Sequence, residues 1–590
     1  MSGTQQQLAK ALSLHQQGNL IDAAKLYQQV LEAEPQNVDA LNLLGLIYQA
    51  AGEFESAITL IGQACALAPD YYAPAVNLGN VYQEAGRLDE AMDTFRMAIT
   101  INPESAAAYN NLASCLNDKD LHEDALAACV DGLKRDAGMG DLHVNMGNAL
   151  LGLGKAEESL KSFEKAIKFG GQNNPNAWFN MGNALGDLDR YEEACTAFAK
   201  AIALEDGNPQ MLYNYANALQ QEYRFAEAVP LFERAIERLP GYVDAYCNLA
   251  SAYQSLGNAP KAVNLLRQAL KDEPDSVDLH WNLSLALLQS GQYQEGWAEY
   301  EWRWETPTFA DFRREFDKPQ WDGGDLDGQT ILIHAEQGFG DGVQFIRYAP
   351  LVAAKGGRVI VECRAQLNRL FTSLDGVAQV IDLGADLPEY DVHAPVMSLP
   401  FLFKTAVDTI PAAIPYLKVP SETALAPEDL NGEGLKVGLV WAGSPTRRDN
   451  LKRSCPMAAL ADLISTPGAT FYSLQVGPFE AQLDELPEDA KVVNLAPNLK
   501  DFADTAAALD SMDVLVSVDT GVLHLAGALG KPVLAMMSQP TGFLWMDERT
   551  DSPWYPTARL FRQQTIGEWG DVIDGVKGAL ADMIAKSAGA

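Results

Sequence analysis

Three short stretches of this chain set glycine, acidic and basic residues just where apolar runs end. The first is Asp519-Thr520-Gly521, with His524 three positions on. It closes the apolar run Val514 to Val518 and opens an Ala/Leu-rich stretch that ends at Gly530-Lys531-Pro532. Val533 to Met537 is apolar again. The pattern reads as strand, loop, helix and strand in a parallel sheet. At the carboxyl end of such a strand, a helix N-terminus offers unpaired N–H groups to an anion. Gly521 lets the backbone approach closely and Thr520 adds a hydroxyl. An ordinary helix cap accounts for the same Asp and Thr.

The second stretch is Glu336 to Gly342, EQGFGDG, after the apolar run Thr330 to Ala335. Gly338 and Gly340 permit a ligand to come close, but the third glycine is misplaced for a dinucleotide fingerprint. Asp341, at the start of the following helix, is a candidate general base for an acceptor hydroxyl, or else an N-cap. His334, at the end of the preceding strand, competes for the base role; a strand histidine is more often a satisfied core residue. The third stretch, Trp441 to Ser454, carries Ser444 and then Arg447, Arg448, Lys452 and Arg453 within seven positions. Guanidinium forks grip phosphate oxygens and offset the charge growing on a departing nucleotide. A merely solvated loop is the alternative. Gln475, after the next strand, is placed to line the same pocket.

The elements that must position these loops occupy the second half of the chain. After a polar connector, 305–328, strands and helices alternate in two lobes, 329–418 and 435–590, joined by a hinge at 419–434. Strands are expected at Thr330 to Ala335, Arg358 to Cys363, Val377 to Leu383, Leu435 to Trp441, Thr470 to Gln475, Val492 to Leu495, Val514 to Val518 and Pro532 to Met537. A helix period runs from Asp341 to Lys355, and a final helix from Gly570 to Lys586. Two Rossmann-like lobes with a cleft between them follow from that alternation.

The first half, 1–304, is periodic. Gly45, Gly79, Gly147 and Gly182 recur where two helices cross; Phe95, Phe163, Phe198 and Phe232 recur at a second offset, and Pro35, Pro69, Pro103, Pro240 and Pro274 close the units. A 34-residue period with small, bulky and terminal-proline positions matches the tetratricopeptide pattern. About nine helix pairs stack into a superhelix with a concave groove. One unit is a residue longer near Asn173. The last, running into GWAEYEWRWE, exchanges small residues for Trp297, Tyr300, Trp302 and Trp304, as a unit docking on a different domain would. Asn77, Asn111, Asn145, Asn180, Asn214, Asn248 and Asn282 share one position in seven successive units. An amide has two donors and an acceptor, so this ladder could grip the backbone of an extended polypeptide. Tetratricopeptide units in general favour Asn there, which is the plainer explanation.

Composition narrows the partners. With 43 basic against 79 acidic residues the formal charge is -36, which disfavours nucleic acid and anionic lipid. No run of about 18 apolar residues or secretion signal is seen, so a cytoplasmic protein with no membrane insertion is expected. The seven cysteines lack C-x-x-C spacing and read as reduced structural thiols; no metal site is expected.

The motifs also carry a resemblance. Residues 330 to 565 look like a GT-B glycosyltransferase of the heptosyltransferase-like type, on G-x-G-D (Gly338, Gly340, Asp341) and D-T-G-x-x-H (Asp519, Thr520, Gly521, His524). The resemblance implies an inverting, metal-independent transfer with Asp341 as base. It also implies that the second motif holds the donor phosphate and sugar, and that Lys452 or Arg453 makes the basic phosphate contact. The repeat array resembles that of eukaryotic O-GlcNAc transferases, which hold protein substrates on an asparagine ladder. Repeats followed by GT-B lobes resemble bacterial flagellin-modifying O-glycosyltransferases. That likeness implies Ser/Thr of flagellin as acceptor and a nonulosonic, pseudaminic-like sugar from a CMP-linked donor. The pocket residues themselves do not separate a CMP donor from a diphosphate one. A lipopolysaccharide-core glycosyltransferase and a non-catalytic repeat scaffold are the alternatives.

Overall fold

A computed structural model describes residues 3–421, 430–445, 450–487 and 490–588; for 451, 452 and 588 only the backbone is described. The chain divides into two compact units, Met1–Leu239 and Pro240–Ala590.

The first unit is a run of antiparallel helix pairs, from Gly3–Gln16 with Leu20–Ala33 to Pro209–Gln221 with Phe225–Arg238. The first helices of successive pairs start at Val38, Tyr72, Ala106, Gly140, Pro175 and Pro209, in step with the sequence period. The extra residue near Asn173 is taken up by a 3-10 turn, Gly171–Asn173. The recurring glycines have a packing cause: a Cβ at Gly79, Gly147 or Gly182 would lie 2.5 Å from the ring of Phe95, Phe163 or Phe198. Only a bare backbone lets that ring seat, and all three rings are buried.

The asparagine column is engaged within the array. Asn77, Asn111, Asn145, Asn180 and Asn214 each donate from Nδ2 to the side-chain oxygen of Asn42, Asn80, Asn110, Asn148 and Asn183, at 2.8–3.0 Å. One of the two N–H groups on each amide therefore stitches a repeat to its predecessor, and Asn214 Oδ1 accepts from Gln210 as well. In the second unit, Asn282 donates to the Asp278 carbonyl of its own helix. These bonds are a structural role for the column, and they leave each amide with less capacity for a bound chain.

The second unit begins with two more helix pairs, Val243–Ser255 with Ala259–Ala269 and Val277–Gln289 with Tyr293–Tyr300. The aromatic residues at the end of this run insert into the α/β part of the same unit. Tyr293, Trp297 and Tyr300 are buried; Trp297 meets Phe345 edge-on at 5.5 Å, and Tyr293 lies 6.0 Å from Trp554. Arg303 is fully buried, with its fork on both oxygens of Glu336 (3.0 and 3.1 Å) and further bonds to Glu301 and Ser398. A buried guanidinium is tolerated because all of its donors are directed at acceptors.

Two parallel sheets make up this α/β part. The first contains β1 (Thr330–His334), β2 (Arg358–Cys363), β3 (Val377–Asp382) and β4 (Val392–Pro395), in the order β3-β2-β1-β4. The second contains β5 (Leu435–Val440), β6 (Ala469–Ser473), β7 (Val492–Asn494), β8 (Val514–Val518), β9 (Val533–Met537) and β10 (Ala558–Arg562), in the order β10-β9-β8-β5-β6-β7. Strands β4 and β10 are additional to those expected: one is four residues ending in proline, the other, ARLFR, alternates with arginine, and neither has an apolar run. The expected helix from Asp341 is broken into Phe339–Phe345, a 3-10 turn Ile346–Tyr348 and Ala349–Ala353. Pro350 has no N–H to continue the ladder.

Strand order reverses between β1 and β4 in one lobe and between β5 and β8 in the other. Ligands sit at the carboxyl ends of strands flanking such switch points. The carboxyl ends of β1, β5 and β8 carry the three loops rich in glycine and charge. The lobes are clipped together: Arg369 grips both oxygens of Asp501 (2.7 and 2.8 Å) and reaches Asp504, while Arg347 donates to the Trp554 carbonyl and to Tyr416.

Candidate active site

The loop after β8 is shaped by its own short side chains. Thr520 caps the helix Gly521–Ala528, its hydroxyl accepting from Leu523 N–H, and Ser517 lies 3.2 Å from the same hydroxyl. Asp519 is thereby left pointing out of the strand end, where it collects donors. Arg453 Nη2 reaches one oxygen at 2.8 Å, His524 Nε2 faces the other at 3.6 Å, and the indole N–H of Trp545 faces the carboxylate as well. Burial alone would raise this carboxyl, but His524, the Arg453 cation and the facing Trp545 N–H outweigh it and hold Asp519 down at about 2. It is an anion that orients cations and donors, with little proton affinity of its own.

His524 is held on three sides. Its Nδ1 lies 3.0 Å from the Tyr555 hydroxyl, its ring stacks on Trp545 at 5.5 Å, and its Nε2 looks toward Asp519.

The loop after β1 meets this group from the other lobe. A Cβ on Gly340 would sit 3.0 Å from His524 Cδ2 and 3.7 Å from Gly521 Cα, so the two glycine loops touch backbone against ring. Phe339 and Phe502 pack at 5.3 Å beside them. Asp341 does cap its helix: one carboxylate oxygen accepts the Gly338 N–H at 3.1 Å, which leaves the second oxygen for another partner. Loss of water pushes its carboxyl above the ordinary value and nearby Asp519 adds to this, while His524 and the Gly338 N–H pull the other way. A carboxylate with raised proton affinity suits proton abstraction from a hydroxyl.

Several expected residues take other positions. His334 is buried in a stack with Phe316 (4.5 Å) and His393, its Nε2 3.2 Å from His393 Nδ1. Burial first, then His393 and the Arg314 and Arg303 cations, depress it to about 3, so it is a neutral core ring. Gln475 is buried with its Oε1 accepting from Trp441 and Ala442 N–H at 3.2 and 2.9 Å; it shapes the start of the β5 loop, and its acceptor is not directed at a ligand. Ser444 is exposed on that loop. Arg447 and Arg448 lie outside the described residues, and so does the side chain of Lys452. The structure thus brings together Arg453, Asp519, Thr520, Gly521 and His524 with Gly338, Gly340 and Asp341. Trp545 and Tyr555, which bracket His524, escaped the sequence reading. Trp545 follows β9 directly enough to have been sought at that strand's carboxyl end; Tyr555 carries no such signal. No group of acidic, cysteine or histidine side chains suited to a metal occurs among the described residues. No described helix is long and apolar enough to cross a membrane.

Comparison with known proteins agrees with this layout. Tetratricopeptide repeat families match 8–72, 50–116, 140–169, 175–208, 208–272 and 247–301. Glycosyltransferase family 9 (heptosyltransferase) matches 474–550, which contains β8, the D-T-G-x-x-H motif and Trp545. Protein FlbA of Caulobacter vibrioides is 29% identical over 328 residues, 51% of this chain and 54% of FlbA; the chain spans about half the length of this curated relative. Among solved structures, MamA protein is 25% identical, covering 28% of this chain and 91% of its own at a TM-score of 0.27. YrrB, a TPR protein with an unusual peptide-binding site, is 20% identical, covering 31% and 95% at 0.27. Segments of the helical part between 8 and 301 thus match tetratricopeptide repeat families, and 474–550 of the α/β part match glycosyltransferase family 9 (heptosyltransferase).

Proposed function

We propose that the protein is an inverting, metal-independent protein O-glycosyltransferase that moves a sugar from a nucleotide-activated donor to Ser or Thr of a polypeptide engaged by the repeats. The observation that carries this reading is the meeting of Gly338-Phe339-Gly340-Asp341 with Asp519-Thr520-Gly521 and His524 across the lobes. Donor groups for a phosphate lie on one side, and a carboxylate of raised proton affinity on the other. Arg453, the N-terminus of the Gly521 helix and Thr520 receive the donor phosphate and balance charge on the departing nucleotide. Asp341 takes the proton from the acceptor hydroxyl. His334 is set aside as base because burial leaves it little affinity for a proton and its Nε2 is paired with His393.

Flagellin as acceptor and a nonulosonic, CMP-linked sugar as donor are the specific form of the proposal, supported by the likeness of repeats followed by a transferase region. A lipopolysaccharide-core acceptor is less suited to a chain with so many peptide-type repeats. The test is calorimetric titration with CMP, UDP, GDP and ADP, then incubation of flagellin with the matching activated sugar. Binding of one nucleotide and a mass increase on flagellin Ser/Thr are expected. Binding without any mass increase on polypeptides would reject the protein acceptor, and absence of all nucleotide binding would reject the transferase.

A further inference from the structure

The chain between β9 and β10 runs beside the Asp519 loop, and two of its residues, Trp545 and Asp547, link that loop to distant parts of the chain. Trp545 is buried, lies against His524 with ring planes 26° apart, and turns its N–H toward Asp519. Its backbone is fixed from β10: Arg562 donates to the carbonyl oxygens of Trp545 and Met546 at 2.7 and 2.8 Å and to Thr541 Oγ1 at 3.0 Å. Met546 has φ 53°, a left-handed conformation that a non-glycine residue keeps only when its surroundings impose it.

Asp547 then reaches the opposite way. Its Oδ1 accepts from Gln289 Nε2 at 2.7 Å, and its Oδ2 from Ala259 N–H at 3.4 Å. Gln289 ends the helix Val277–Gln289, and Ala259 begins Ala259–Ala269, so both anchors belong to the last two repeat units. Gln289 is itself oriented by reciprocal bonds with Gln254, at 3.0 and 3.1 Å. One loop therefore has one hand on repeat helices and the other on the carboxylate of the D-T-G motif.

We propose that Trp545 is a donor-site residue that fixes Asp519 and His524 for the nucleotide phosphate, and that Asp547, held by Gln289 and the Ala259 helix, is the positioning residue that sets Trp545. This rests on the glycosyltransferase reading. Asp519 accepts from Arg453 at 2.8 Å, and His524 Nε2 and the Trp545 indole N–H face the same carboxylate. Without the indole N–H the carboxylate can turn, and Arg453 and His524 turn with it.

The experiment is calorimetry on the full chain with the nucleotide that wild type binds among CMP, UDP, GDP and ADP. Trp545→Phe keeps an aromatic face and removes the N–H; Asp547→Asn keeps shape and removes the charge. Each is expected to weaken binding by about five- to tenfold, the loss typical of one ordinary hydrogen bond. The double variant is no weaker than either single one, because Asp547 acts through Trp545. Gln289→Ala, which leaves the loop sequence intact, reproduces the Asp547→Asn loss. Additive losses, or a silent Gln289→Ala, would overturn the positioning role; unchanged affinity in Trp545→Phe would overturn the donor-site assignment while leaving the transferase intact. Wild type that binds none of the four nucleotides removes the transferase reading and this one together.

Discussion

A methyl group at Gly340 tests whether the two lobes meet through bare backbone. It would lie 3.0 Å from His524 Cδ2, 3.5 Å from its Nε2 and 3.7 Å from Gly521 Cα. Carbon atoms in contact rest about 3.5–4.0 Å apart, so the closest approach is short by roughly half an ångström. The ring has little room to yield: Tyr555 holds Nδ1, Trp545 covers a face and Asp519 attracts Nε2. The strain must then open the gap between the lobes or tilt the imidazole. Forcing an extra methyl into a packed contact costs about 1–3 kcal/mol, which lowers the population of the closed arrangement about 5- to 150-fold. Gly340→Ala is expected to reduce kcat/KM for sugar transfer by a factor in that range, with a smaller effect on nucleotide affinity, since the phosphate groups belong to the second lobe. Gly186→Ala is the control: nothing lies within 4 Å of that Cβ, and alanine is the better helix residue. A Gly340→Ala enzyme with wild-type turnover, or a Gly186→Ala enzyme equally impaired, would refute this geometry.

The same site yields further expectations. Asp341→Asn is expected to abolish transfer while nucleotide binding persists, and in wild type the acid limb of the rate profile should lie above the ordinary aspartate range, because desolvation and Asp519 raise this carboxyl. Linkage has the same sign: with a folded-state pKa above the unfolded one, stability from Asp341 is present at low pH and lost as pH rises through the folded value, so the Asn variant should melt higher than wild type at pH 7 but not at pH 3. For Asp519 the shift from 3.8 to about 2 corresponds to about 2 kcal/mol present above the unfolded pKa and lost as pH falls toward the folded one. Hydrogen exchange of second-lobe amides is the suitable reading, since so large a chain does not unfold in one step; a gap between wild type and Asp519→Asn that stays constant from pH 5 to 2 would contradict it. Asn180→Ala removes the donor to Asn148 and should lower the melting point of the repeat unit by about 2–4 °C, as loss of about 1 kcal/mol does in a domain of this size. If acceptor peptide binding weakens and the melting point stays, the amide column serves the ligand more than the fold.

Legibility in the sequence tracks how local the cause is. The helix pairs were readable because they repeat one packing problem at a fixed spacing, a small residue under a bulky one, as with Gly79 under Phe95. The inner strands were readable because both faces are covered and the run is apolar, as in Val514 to Val518. Strands β4 and β10 lie at sheet edges, need fewer apolar residues and left no run to find. The motif loops were visible because glycine and a capping Thr or Asp mark a strand-to-helix turn from neighbouring residues alone.

What remained for the tertiary structure was every pairing between residues far apart in the chain. Composition and period determined a repeat array followed by two Rossmann-like lobes, and they marked Asp341, Asp519 and His524 as candidates. They could not decide that His334 would be sealed against His393, that Gln475 would be taken by backbone N–H groups, or that the asparagines would bind one another. Nor could they show that Trp545 and Tyr555 hold His524, or that Asp547 joins this loop to the last repeats. Burial and the number of donors around an atom are set by chain segments tens to hundreds of residues away, and those quantities decide whether a carboxylate takes a proton or only orients its neighbours.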